Sequence, residues 1–165
     1  MRAFVVIGPE STGTRVLTQI LISAGCVGDG GHEQRFDSHV PLPSEVKSDI
    51  VWRRSVPHFE SEKMPFVDKM KENLKGYNTK FLVTSRSMYP AAMSQMRHRG
   101  GLDTLQQAYQ RINRAYSHIF DQVAEREFTL VTYEGLEMNS EKICDYLNIG
   151  NPKVKIYNGN SKYFD

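Results

Sequence analysis

The chain has 165 residues, 39% of them hydrophobic, and a formal net charge of +2. That length suits one domain with a single packed core that needs no covalent staples. The near-neutral charge argues against a broad nucleic-acid-binding surface, no run approaches the roughly 18 apolar residues of a membrane span, and Cys26 and Cys144 form no metal-spaced motif, which reads as two inert thiols in a reduced, cytoplasmic protein.

Ala3–Ile7 is a short run of valine, isoleucine and phenylalanine bounded by Gly8-Pro9, the pattern of a strand buried on both faces of a parallel sheet. An arginine before a short apolar run resembles a miniature secretion signal, but the run is too short and polar Glu10, Ser11 and Thr12 follow at once. Val16, Leu17, Ile20, Leu21 and Ala24 make one apolar stripe, which predicts a helix from about Gly13 to Ala24 stopped by Gly25. Residues 26–48 lack periodicity and are rich in Gly, Asp, His, Ser and Pro, so they read as a long loop of the kind that often carries function. Asp49–Trp52 reads as a second strand. Ser61 caps a predicted helix that carries Phe66, Val67, Met70 and Leu74, tolerates Pro65 near its first turn and ends at Gly76. Lys80–Thr84 is a third strand, followed by a helix over about Pro90 to His98. Asp103 and Gln106 predict a capping-box start for the longest helix, about 103–125, with the stripe Leu105, Tyr109, Ile112, Tyr116, Ile119 and Val123. Phe128–Thr132 is a fourth strand, Asn139 or Ser140 caps a last helix ending near Gly150, and the tail 151–165 shows no clear pattern. Strands alternating with helices predict a single α/β domain: a mostly parallel sheet of about four or five strands with helices on both faces, in three layers. A ligand then belongs at the carboxyl ends of the strands.

One segment carries the most chemistry. Gly8-Pro9-Glu10-Ser11-Thr12-Gly13-Thr14-Arg15 sits between the first predicted strand and the first predicted helix. There a glycine-containing turn presents backbone N–H groups and a helix N-terminus to an anion. The glycine spacing is that of a P-loop, but Thr14 and Arg15 stand where a nucleoside-triphosphate site has Lys and a magnesium-binding Ser or Thr. Arg15 keeps a positive charge, and Thr12 and Thr14 keep hydroxyl donors. The loop therefore suits phosphate without a required metal.

At this point the chain resembles the sulfotransferases, which use 3′-phosphoadenosine-5′-phosphosulfate (PAPS). Their first loop contains Ser-Gly-Thr after a basic residue; here Thr12-Gly13-Thr14 matches the core, Ser11 stands at the basic position, and Arg15 replaces a second hydroxyl residue. The family also places an Arg at the end of a later strand and a Ser eight residues on, which together hold the 3′-phosphate. Arg86 and Ser94 have that spacing, with Ser87-Met88-Tyr89 in place of the usual Asp-Pro-Arg. A guanidinium fork with a helix-borne hydroxyl is sound chemistry for a phosphate. Thr132-Tyr133-Glu134-Gly135-Leu136 echoes a family turn of structural role, and Lys162 in the tail lies where the family covers the 3′-phosphate with a basic segment.

The resemblance implies a P-loop nucleoside-triphosphate-hydrolase-like fold and a PAPS-dependent enzyme. The cofactor-binding set it implies is Ser11, Thr12, Gly13, Thr14, Arg15, Arg86, Ser94 and Lys162, with PAPS or its product PAP bound and no metal required. Sulfuryl transfer spreads negative charge, so cations near the bridging oxygen and a base for the acceptor are needed. Counting back from Pro57 puts Arg53 at the family's lysine position and Ser55 at its histidine position, with His58 displaced beyond the proline. Arg53, Arg15 and His58 are thus the catalytic candidates, and His32 or Glu33 in the long loop is an alternative base. His32, Glu33, Asp37 and His39 together match no closed zinc pattern. Arg97-His98-Arg99 reads as a solvated helix end. The expected partners are the nucleotide cosubstrate and an unidentified acceptor hydroxyl or amine, in a monomer or homodimer without nucleic acid or membrane. Two alternatives stay open: an atypical P-loop nucleotide kinase or NTPase, and a catalytically inactive nucleotide-binding protein.

Overall fold

Five strands run parallel in one sheet, in the order β2-β3-β1-β4-β5. The structure, a computed structural model, describes residues 1–28, 48–57, 64, 67–98 and 102–164. The elements are β1 (Arg2–Pro9), α1 (Thr14–Ser23), β2 (Val27–Gly28), β3 (Ile50–Val56), α2 (Val67–Asn73), β4 (Asn78–Ser85), α3 (Met88–His98), α4 (Leu105–Val123), β5 (Phe128–Thr132) and α5 (Leu136–Tyr146), with short 3-10 turns at Tyr133–Gly135 and Ser161–Tyr163. The parallel α/β class expected from the alternation is what forms.

β1 lies at the centre, so the valine–isoleucine–phenylalanine run is covered on both faces and paired on both edges. Successive side chains alternate between the faces. Ala3, Val5 and Ile7 pack with Ile50, Trp52, Phe81 and Val83 beneath α2 and α4. Phe4 and Val6 pack with Val51, Leu82 and Val131 beneath α1 and α5. Leu17, Ile20 and Leu21 are fully buried on α1, as its stripe predicts. α3 does not lie on the sheet core but packs Ala91 and Ala92 against Ala108 and Ile112 of α4.

Four expectations are corrected. The capping box of α4 sits one residue later: the Thr104 hydroxyl accepts from Gln107 N–H, and the Gln107 side chain accepts from Thr104 N–H. Both pairs have the same spacing. Ala108, Ile112, Ala115, Ile119 and Val123 form the fully buried face of α4, and Tyr109 and Tyr116 are half-buried beside them. Val27–Gly28 leaves the loop reading, because its backbone pairs with Ile50 and Val51 at the sheet edge. α5 begins at Leu136, and Asn139 lies inside it, its amide donating to Gly135 O. The tail forms a turn at Ser161–Tyr163 that packs on α3. Ser61, Pro65 and Phe66 lie outside the described residues.

The amino edge of the sheet is tied by Arg2. Its N–H and guanidinium both bond the Asp49 carboxylate, and the guanidinium also donates to Leu147 O and Asn148 O. Burial raises the Asp49 pKa, but the Arg2 hydrogen bonds and charge outweigh it and hold the carboxyl below its usual value. Among the described residues, no helix is long and apolar enough to cross a membrane. Cys26 and Cys144 are free and buried; burial pushes their thiols up to about 12 and about 11.

Candidate functional site

Because all strands are parallel, Pro9, Val56, Ser85 and Thr132 end on the same edge. The loop after β1 is built there. Glu10 N–H donates to Val56 O at 3.1 Å, carrying the ladder one step past the strand. Ser11 and Gly13 then take positive φ of 68° and 96°, which turns the chain sharply on either side of Thr12. Thr12 is fully buried: its N–H and its hydroxyl both donate to Pro9 O. With its one hydroxyl proton so used, Thr12 accepts from the Thr84 hydroxyl of β4 at 2.7 Å. The Thr14 and Ser55 hydroxyls lie 2.9 Å apart, joining the helix start to the end of β3. The first intrahelical bond of α1 runs from Leu17 N–H to Gly13 O, so the N–H groups of Thr14, Arg15 and Val16 open toward this edge without helical acceptors. Gly13 is tightly specified. A Cβ there would sit 2.7 Å from the Tyr133 ring, and its φ is one that other residues rarely adopt.

Arg86 follows β4 directly and reaches back to this loop. Its Nη1 donates to Ser11 O at 2.9 Å and its Nε to Asn160 Oδ1 at 2.7 Å. The guanidinium lies 4.2 Å from the Tyr133 ring centroid and 5.5 Å from that of Tyr163. Ser94, buried on α3, hydrogen-bonds the Tyr163 phenol. Lys162 and Arg97, both exposed, stand over the same ring at 5.0 and 5.3 Å. Burial raises the Tyr163 pKa, but bonds from Ser94 and Lys162 and the charges of Lys162 and Arg86 bring it below the ordinary phenol value. Glu134 accepts from Ser87 N–H and from Asn160 Nδ2, each at 2.8 Å. Burial pushes the Glu134 carboxyl up, and these bonds more than reverse the effect. Arg86, Ser94 and Lys162 thus share one locality, joined through Ser11 to the first loop.

The remaining candidates are placed less closely. Arg15 is exposed on the first turn of α1. Arg53 is half-buried on β3, level with Val6, and strand alternation puts it on the α1 face together with Ser55. Its neighbour Arg54 is buried on the opposite face. His58, His32, Glu33, Asp37 and His39 lie outside the described residues.

Several residues at this edge carried no assigned role in the sequence reading. Glu10 is only 3% exposed, pairs with Arg111 of α4 at 3.3 Å, and receives Gln95 Nε2 on its carbonyl at 2.8 Å. The carboxylate within this loop is thereby balanced by a cation. The one sequence signal was its place within the loop, because Arg111 is 101 residues away. Asn160 and Tyr163 had no signal beyond their position beside Lys162. A separate groove of about 360 Å³ lies between β5 and α5, lined by Leu82, Val131, Thr132, Asn139, Ile143 and Tyr146 among others. It contains none of the candidate residues, and its apolar lining lacks the cations an anionic nucleotide requires, apart from Lys142.

The fold and the edge together define a parallel α/β protein with a cation-rich, N–H-rich loop cluster at the carboxyl ends of its strands. No protein-family model matches the sequence, and no curated protein matches it significantly.

Proposed function

We propose that the chain is a sulfotransferase-like enzyme of P-loop-like fold, binding PAPS at the carboxyl edge and transferring its sulfuryl group to an acceptor hydroxyl or amine. The observation that carries this reading is the convergence of Arg86, Ser94 and Lys162 around Tyr163, with Arg86 bonded directly to the loop at Ser11. The donor chemistry fits a polyanionic nucleotide. Backbone N–H groups, guanidinium and ammonium groups meet there, while the two nearby carboxylates are committed, Glu10 to Arg111 and Glu134 to Ser87 and Asn160.

In this reading the Arg86 fork, Ser94 and Lys162 hold the 3′-phosphate. The N–H groups at the start of α1, with Ser11, Gly13 and Arg15, hold the 5′ end, where the positive end of the helix favours negative charge. Thr12 shapes the loop rather than reaching outward, since its hydrogen-bonding groups are turned to Pro9 and Thr84. PAPS brings the activated sulfuryl group. Arg53, midway along β3 on the α1 face, is the proposed source of positive charge for the oxygens that gain charge in transfer, and His58 is the proposed base.

A second reading, a catalytically silent nucleotide-binding protein, is favoured by one observation. Ser55, at the position of the family's histidine, is hydrogen-bonded to Thr14. Turnover of PAPS across an acceptor panel separates the two readings.

Calorimetric titration with PAP, beside ATP with and without magnesium at fixed salt, tests the binding. The expected result is tight PAP binding, with ATP weak and indifferent to magnesium. Tight Mg-ATP binding would move the protein to the kinase class, and binding of neither would refute the nucleotide reading.

A further inference from the structure

Asn160 comes from the tail, 74 residues after Arg86, yet it is only 8% exposed and sits between two charged groups. Its Nδ2 donates to Glu134 Oε1 at 2.8 Å and its Oδ1 accepts from Arg86 Nε at 2.7 Å. An ionised carboxylate only accepts, so Glu134 dictates which end of the amide faces it and leaves the carbonyl oxygen for Arg86. Glu134 is itself fixed by Ser87 N–H, one residue from Arg86. On its other side Arg86 donates to Ser11 O. Two of the five N–H bonds of the guanidinium are therefore held by protein acceptors, and the Tyr133 ring lies 4.2 Å from its centre. Those constraints set the plane of the fork.

We propose that Asn160 is a positioning residue that fixes the Arg86 fork for the 3′-phosphate, with Glu134 setting the orientation of its amide. This rests on the nucleotide reading above. A fork that is already oriented loses less rotamer freedom on gripping a phosphate, and its bidentate geometry depends on its plane. Asn160 therefore acts on recognition of the 3′-phosphate and not on the rest of the nucleotide.

The experiment is calorimetric titration of the full chain with PAP and with AMP, which lacks the 3′-phosphate. The quantity read is the ratio of the two Kd values. Asn160→Leu is expected to reduce the preference for PAP about tenfold, near the size of one hydrogen bond to a charged group, while AMP affinity changes less than about twofold. In an Arg86→Ala background the same substitution is expected to leave the ratio unchanged. An unchanged ratio in Asn160→Leu, or an equal loss for both nucleotides, overturns the positioning role while a PAP preference in the unmodified chain keeps the nucleotide reading. A stronger preference in Asn160→Leu overturns it too, because Asn160 would then compete with the phosphate. An unmodified chain without PAP preference removes both.

Discussion

Gly8 is the tightest point of the loop, and its replacement has a calculable effect. A Cβ at Gly8 would stand 2.0 Å from Thr84 Oγ1, 2.8 Å from Thr12 Oγ1 and 3.0 Å from Thr84 O. Atoms do not approach so closely, so in Gly8→Ala the Thr84 side chain must rotate away. That breaks its 2.7 Å bond to Thr12, at about 1 kcal/mol, and adds overpacking strain of about 1–3 kcal/mol in a buried site. The expected loss is about 3 kcal/mol, or roughly 6–12 °C in Tm for a chain of this length. Thermal and urea unfolding measure it, with Thr84→Ala as the second arm of a cycle. Thr84→Ala alone is expected to cost about 1 kcal/mol, since Thr12 keeps its bond to Pro9 O. In that background the nearest obstacle is gone while the approaches to Thr12 Oγ1 and Thr84 O remain, and Gly8→Ala is expected to cost about 1–2 kcal/mol. Strict additivity of the two substitutions would refute the contact as the reason for glycine at this position.

Three more outcomes are open to measurement. Arg86→Ala is expected to weaken PAP binding by about 1.5–3 kcal/mol, the range for hydrogen bonds to charged groups; unchanged affinity by calorimetry would remove Arg86 from the site. Glu134 has a folded pKa below its ordinary 4.5, so its contribution to stability is full above that value and is lost as pH falls through the folded pKa. Glu134→Gln is accordingly expected to flatten the acid side of the stability–pH curve below about pH 4.5, and an acid limb of unchanged steepness would contradict the Ser87 and Asn160 bonds. Cys26 and Cys144 are expected to resist alkylation at pH 8 in the folded chain and to react after denaturation, because burial holds both thiols protonated; rapid labelling of the native chain would show that the site opens.

What the sequence made legible follows from how local each signal was. β1, α1, β4 and the body of α4 carry their own hydrophobic period, and each forms within a residue or two of its expected bounds. Val27–Gly28 is too short to have a period and becomes a strand only because β3 lies beside it. Asn139 reads as a helix cap, yet it lies inside α5 and its amide donates back to the carbonyl of Gly135 just before the helix, a use that the residue type alone does not distinguish. The spacing of Arg86 and Ser94 was visible, but the turn they meet was not, since it is held by contacts from Asn160 and Tyr163 across the chain. Glu10 shows in sequence only as a polar residue of the loop after the first strand, and its burial becomes intelligible with Arg111, placed beside it by the packing of α4.

The central place of β1 also bears on how the chain comes into being. β1 precedes both of its neighbours, β3 beginning at Ile50 and β4 at Asn78. On a ribosome adding roughly 5–20 residues per second, about seventy residues must follow β1 before β4 starts to appear, which takes roughly 4–14 s. For that interval its run of valine, isoleucine and phenylalanine has at least one bare edge and no complete cover on either face. It is a nascent segment of the kind that pairs with the wrong strand. Slowing synthesis between residues 10 and 78 is therefore expected to lower soluble yield more than the same slowing after residue 132, when the whole sheet has been made.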